Sequence, residues 1–206
     1  MPTQTFYNLP EEKQSRIVAA AIDEFGRCNV THANLSNIVS AAGIARGSIY
    51  KYFDSKEDMY IYIFEILRAQ RAEYAKPAME LYKKEPFIVF FKDFYLRDSE
   101  YLFAHPKHIE LGKQLYADNQ GVSRRLIQNI QMHYRDMFII AIEFDKARNL
   151  IREDVDTAVL ADLFTHFMTD IFIFQSVSNE LTMRNIRQHA TETLRIIQFG
   201  IQKNEL

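Results

Sequence analysis

Apolar residues recur along this chain at spacings of three and four almost throughout, and nowhere alternate long enough to suggest a strand, so the pattern predicts an all-α protein. The first stripe, Ile17, Val18, Ala21, Ile22 and Phe25, predicts a helix from about Pro10 to Cys28 with one buried face. Two shorter segments follow. Leu35, Ile38, Val39 and Ala42 share one face of a helix for which Asn34 is the N-cap. Ile44 and Ile49 resume the apolar contacts after Gly43, a residue suited to the left-handed conformation that ends a helix and reverses the chain. Ser55, with Asp58 three residues on, resembles the capping box of a further helix that carries Met59, Ile63, Ile66 and Leu67.

Beyond this point Pro77, Pro86 and Pro106 predict helix boundaries. Between them, Phe87, Phe90, Phe91, Phe94 and Tyr95 cover so wide an arc that their helix needs apolar contact nearly all round. Further helices are predicted at about 106–117, 122–150, 155–178 and 182–203. In the last two, Val159, Leu160, Leu163, Phe164, Phe167, Ile171 and Phe174 spread over more than one face, joined by Ile186, Leu194, Ile197 and Ile201. Two apolar faces predict two partners, the chain's own core and a second copy; the candidate dimer interface is Val159, Leu163, Phe167, Ile186, Leu194, Ile197 and Ile201.

Composition sharpens this picture. With 206 residues, 48% of them hydrophobic, and only 6 Gly and 5 Pro, the chain fits long helices in two domains, expected at 1–55 and 56–206. The single cysteine, Cys28, excludes an intramolecular disulfide and reads as a small apolar residue. No run has the apolar length of a membrane span, and the polar start MPTQTFYNLPEEK lacks the regions of a signal peptide, so a cytoplasmic location without a membrane partner is expected.

Net charge is −2, and residues 1–60 hold six Lys or Arg against seven Asp or Glu, which is not the balance of a generic DNA-coating protein. Position matters more than total. Arg46, Lys51 and Lys56 cluster with Ser48 and the hydroxyl ends of Tyr50 and Tyr52, whereas most of the acids lie in first turns of helices, where they favour the dipole. This donor-rich surface has the chemistry of a recognition helix, and the charge balance predicts modest non-specific affinity and a need for two linked reading heads.

The run Ile38-Val39, Ala42-Gly43-Ile44, Gly47-Ser48-Ile49-Tyr50, Tyr52-Phe53, Ser55-Lys56-Glu57 resembles the DNA-binding unit of the TetR family of one-component transcriptional regulators, and the likeness covers about Glu11 to Tyr60. Val39 stands where that family usually has alanine, and Asn29 where a glycine usually closes the preceding helix in a left-handed conformation. The resemblance implies an N-terminal helix-turn-helix domain, a larger helical effector-binding and dimerisation domain, a homodimer on a double-stranded DNA operator, and a final helix pair that forms a four-helix bundle with its copy.

Within such a unit, Arg46 is the candidate for direct base readout, since its planar fork can donate twice to guanine, with a phosphate salt bridge as the equal alternative. Gly47 lets the backbone approach DNA and Ser48 can bond a base or a phosphate. Tyr50, Lys51, Tyr52 and Lys56 are expected on phosphates, unless one tyrosine ring is core, and Asn34 places a helix N-terminus beside another phosphate. The resemblance also implies an effector pocket in the second domain, for which Phe90, Phe94, Tyr101, Tyr116, Phe138, Phe164 and Phe167 are candidates, although each alone reads as plain core. An apolar or aromatic small molecule is the expected effector.

His105-x-x-His108 with His133 or His166 could supply imidazoles to a metal, but Pro106 interrupts the first pair and no cysteine or carboxylate constellation completes a site. No metal or cofactor is expected. There is no Gly-rich phosphate loop, nucleophile elbow or metalloprotease motif, so no enzymatic activity is expected either. The alternative reading is a helical lipid or small-molecule binder without regulatory DNA binding.

Overall fold

The computed structural model describes residues 1–118, 120–177 and 182–200, with side chains outside 169–177. Among these residues the protein is all-α: α1 (Gln4–Tyr7), α2 (Glu11–Arg27), α3 (Leu35–Ala42), a 3-10 turn (Arg46–Ser48) running into α4 (Ile49–Tyr52), α5 (Lys56–Met79), α6 (Phe87–Ala104), α7 (Pro106–Ala117), α8 (Gly121–Ala147), α9 (Thr157–Val177) and α10 (Met183–Phe199). The only extended pairing among them is an isolated bridge between Pro2 and Phe53.

Contacts divide the chain into two compact units, each discontinuous in sequence. Unit 1 is Met1–Gln70 with His105–Ile130, and unit 2 is Arg71–Ala104 with Gln131 onward, rather than the expected 1–55 and 56–206. The chain passes between them three times, within α5, between α6 and α7, and within α8.

In unit 1, α2 lays Ile17, Ala21 and Phe25 into a core shared with Ile38 and Val39 of α3, Ile49 of α4, and Tyr60, Ile63 and Leu67 of α5. Leu111 and Leu115 of α7 and Val122 and Ile127 of α8 complete that core. α7 packs along α2: a Cβ at Gly26 would make only ordinary contact, 3.6 Å from Glu110 Cβ, and Lys107 pairs with Asp23 at 2.6 Å. Gly43 has the expected left-handed backbone, φ +64°, and ends α3. The Ser55–Asp58 box closes reciprocally: Asp58 N–H donates to Ser55 Oγ and Ser55 Oγ–H to Asp58 Oδ2, both at 3.0 Å.

Unit 2 is built around α6. Phe87, Phe90, Phe91, Phe94 and Tyr95 are all buried, and with Phe138, Phe164 and Phe167 they form an edge-to-face aromatic cluster whose closest pair, Phe91–Phe164, has ring centres 4.4 Å apart. Two buried carboxylates on α6 and α8 are answered. Asp98 takes both arms of the Arg71 guanidinium, at 2.8 and 2.6 Å. Asp145 caps α6 by accepting the Phe87 N–H at 2.6 Å, and also takes Arg148, whose other donors reach the Lys83 and Glu85 carbonyls of the preceding turn.

Several expectations need correction. The polar-looking start contains a helix, α1, whose Phe6 is fully buried against Phe53 and Tyr62. Pro77 lies inside α5, in its last turn, where only one backbone bond is forfeited. Pro106, in contrast, marks a boundary as expected: it opens α7 at its first position, where the amide it lacks has no intrahelical partner. Asn29 is not left-handed: among the described non-glycine residues only Asn149 has a positive φ, and α2 ends through an extended Cys28. No helix among the described residues is long and apolar enough to cross a membrane.

Candidate nucleic-acid interface

The recognition segment is short, one 3-10 turn and one α-turn, so it cannot hold its shape alone. Ile49, Tyr52 and Phe53 anchor it from below in the core of unit 1. The leading segment ties down its end: the Thr3 hydroxyl donates to the Lys51 carbonyl at 2.6 Å and the Thr3 N–H to the Tyr52 carbonyl at 2.9 Å. What remains outward is Arg46, Gly47, Tyr50, whose surface is 63% exposed, and Lys51, with Ser48 half-buried.

A groove of about 410 Å³ runs between this segment and the N-terminus of α3, lined among others by His32, Asn34, Ser36, Arg46, Tyr50 and Lys56. It gathers four of the expected DNA-contacting residues, Asn34, Arg46, Tyr50 and Lys56, into one concave surface. Gly47 and Lys51 stand exposed on the same segment. A Cβ at Gly47 would meet nothing within 4 Å, so nothing within the protein requires a glycine there.

Two expected residues have other work. Tyr52 is buried, its ring edge-on to Phe6 at 6.3 Å and covered by Lys13 at 5.8 Å; it is the core tyrosine of the pair. Lys56 donates to the Thr31 carbonyl at 2.9 Å and to the Ala33 carbonyl at 3.0 Å, so two of its three protons hold the loop before α3 and one is left for the groove.

Asn34 caps α3 as expected, its side chain accepting the Ser36 N–H at 2.9 Å. Its own N–H is held by Glu24, a residue the sequence reading passed over. Glu24 is buried on α2, and its Oε1 accepts from the Asn34 N–H at 2.9 Å and the Asn37 amide at 3.0 Å, while Oε2 pairs with Arg27. Burial alone pushes this carboxyl up, but the bonds from Asn34 and Asn37 and the Arg27 charge outweigh it and hold the group below its ordinary value. Glu24 thus fixes the N-terminus of α3, and no local motif marks it because its partners lie 10 and 13 residues away. The Cys28 thiol donates to the Glu24 carbonyl at 3.4 Å, and burial followed by the Glu24 charge pushes it up, which makes it a poor nucleophile.

The expected effector residues divide. Phe90 lines a cavity of about 280 Å³ in unit 2, with Met79, Tyr82, Met137, Ile140 and Ala141 as apolar wall and His133 and Asp136 at its polar side. Phe94, Phe138, Phe164 and Phe167 pack within the aromatic cluster, and Tyr101 lies buried against Tyr74. Tyr116 belongs to unit 1, where it packs on that unit's core, because α7 lies along α2.

The expected dimer residues divide as well. Val159 and Leu163 are exposed, at 66% and 48%, and are joined by Ile196 and Phe199, which the sequence reading did not name. Phe167, Ile186 and Leu194 are buried in unit 2 and Ile197 is half-buried, since α10 packs one face on α6. Ile201 and the side chains of Ile171 and Phe174 lie outside the described residues. His105 and His108 stack at 5.0 Å, and among the described residues no three or more His, Cys, Asp or Glu side chains group as metal ligands would.

Residues 17–63 match the family described as bacterial regulatory proteins, tetR family. Among solved structures, the chain is similar to a TetR family transcriptional regulator from Chloroflexus aurantiacus at 20% identity and a TM-score of 0.68, covering 99% of this chain and 100% of that one. It is similar to the regulator FadR from Bacillus subtilis, solved in complex with stearoyl-CoA, at 17% identity and a TM-score of 0.75, over 91% of this chain and 99% of that one. A TetR-family regulator from Syntrophomonas wolfei matches at 14% identity with a TM-score of 0.77, over 95% and 99%.

Proposed function

We propose that this chain, whose residues 17–63 match the tetR family, is a DNA-binding transcriptional regulator of that family and acts as a homodimeric repressor released from a pseudo-palindromic operator by a small apolar or aromatic effector. The observation that carries this reading is the groove bounded by the α3 N-terminus, Arg46, Tyr50 and Lys56, next to the exposed Gly47 and Lys51. In it Arg46 reads bases from the major groove, Tyr50, Lys51 and the remaining proton of Lys56 hold phosphates, and the positive end of the α3 dipole adds a further phosphate site. Tyr52 supports the segment from inside the core. Two copies joined through α9 and α10 present two such segments to half-sites about one helical turn apart.

The cavity beside Phe90 supports effector binding in unit 2. At about 280 Å³ it lies just below the usual range for ligand pockets, about 300–1,000 Å³, so a larger effector would have to part the aromatic cluster. Stearoyl-CoA, the ligand of the FadR structure, makes a long acyl thioester one class to test. An effector that fits the state with displaced recognition segments better than the DNA-bound state weakens DNA binding by the same coupling.

The test is retention of duplex DNA selected by the protein from a random-sequence pool, measured across salt. Lys51→Ala should weaken binding evenly on all sequences and lower the salt slope by about 0.9 per protomer, while Arg46→Ala should relax preference at particular base pairs, each worth about 1–3 kcal/mol. Equal losses from both variants on every duplex would reject this division of roles. Retention unaffected by any apolar or aromatic compound, acyl thioesters included, would reject the effector.

A further inference from the structure

The groove holds one titratable side chain that the reading above leaves unused. His32 lies in the loop between α2 and α3, exposed, on the same concave surface as Asn34, Arg46, Tyr50 and Lys56. Its position is set by Asn29, whose side-chain oxygen is 3.1 Å from the His32 backbone nitrogen and 2.7 Å from its Nδ1. Both contacts are satisfied together when the Asn29 side-chain oxygen accepts from each. A backbone N–H can only donate, so the Asn29 atom facing it is the carbonyl oxygen and not the NH₂ group. That same oxygen can only accept, so Nδ1 carries a proton whether or not the ring is charged. The atom that gains or loses a proton is therefore Nε2, on the far side of the ring from Asn29.

We propose that His32 is a proton-dependent clamp on the DNA phosphate backbone: with Nε2 protonated it donates to a phosphate oxygen at the mouth of the groove, and without that proton it presents a lone pair there. The charged and titratable groups around it are Arg46, Tyr50 and Lys56 across the groove and Glu24 on α2. The carboxylate of Glu24 is already occupied by Asn34, Asn37 and Arg27. Arg46 and Lys56 make the empty groove positive, and an arriving phosphate reverses that potential at Nε2. DNA binding then takes up a proton, at most one per protomer, and affinity falls as pH rises. Lys56 locks the same loop through the Thr31 and Ala33 carbonyls, so the imidazole is carried on a fixed base.

The inference rests on the DNA-binding reading, and one experiment separates the two. Affinity of the full chain for the selected duplex is measured by fluorescence anisotropy at several pH values from mildly acidic to mildly basic, each at several salt concentrations. The wild type should lose up to about tenfold in affinity per pH unit per protomer, and its salt slope should be steeper at the acidic end by about 0.9 per protomer. His32→Gln should bind with the weaker, flatter dependence at every pH, and His32→Arg should hold the acidic-end affinity throughout, with circular dichroism confirming that both fold. A His32→Gln protein with the pH and salt dependence of the wild type overturns the clamp while leaving DNA binding in place. Absence of duplex retention at every pH overturns both.

Discussion

At the scale of single residues, the N-terminus of α3 is organised by a buried carboxylate on α2. Glu24 is 4% exposed and bonded to the Asn34 backbone, the Asn37 amide and Arg27. Glu24→Ala should cost about 1–3 kcal/mol for each donor left without a partner, read as a lower denaturant midpoint. The pH dependence has a fixed sign. The folded carboxyl sits below its ordinary value of 4.5, so its contribution is complete above that value and is lost as pH falls through the lowered one. The stability gap between wild type and Glu24→Gln should therefore close in acid and stay constant from mildly acidic to neutral pH; a gap that widens in acid would refute the assignment. Asn34 and Gly43 were legible in the sequence because caps and left-handed glycines act within one turn of their own position. Glu24 and the Asn29–His32 pair were not, since their meaning depends on how a loop closes in three dimensions.

At the scale of elements, the two glycines flanking the turn separate folding from binding. Gly43 has φ +64° and open space around it, so Gly43→Ala should lower stability by about 1–2 kcal/mol through backbone strain alone. Gly47 has no positive φ and equally open space, so Gly47→Ala should leave the melting midpoint unchanged while weakening DNA retention, as the added methyl stands where the duplex backbone approaches. Undiminished retention by Gly47→Ala would remove the close approach from the account. Helix existence was readable nearly everywhere from the three- and four-residue apolar spacing, as α7, found at Pro106–Ala117, illustrates. α1 escaped because a four-residue helix has no period to read, and its single buried ring, Phe6, is paired with residues some fifty positions away.

At the scale of the whole molecule, the exposed apolar residues Val159, Leu163, Ile196 and Phe199 are the surface we propose for a second copy of the chain. Leu163→Glu combined with Phe199→Glu should shift sedimentation from dimer to monomer and abolish retention of a two-half-site duplex, with helicity unchanged; a persistent dimer would place the interface elsewhere. Helical periodicity showed that α9 and α10 carry apolar residues on two faces. It could not sort Leu194, which is buried on the chain's own core, from Ile196, which is half exposed, because two residues along a helix differ in direction without differing in chemistry. The compact units divide the chain differently from the expected 1–55 and 56–206 for a related reason: the recognisable motif ends near residue 60, whereas the compact unit recruits His105–Ile130 from much later in the chain.

That recruitment limits how the reading head can be reused. A chimera that moved only residues 17–63, the part with a family signature, would leave behind Leu111, Leu115, Val122 and Ile127, which cover the apolar side of α2 and α5. The transplanted piece would carry Arg46 and its neighbours on a scaffold with a bare flank. A portable cassette would need both stretches, 1–70 and 105–130, joined by a new loop, so swapping operator specificity between such regulators is better done by changing side chains in place than by exchanging segments.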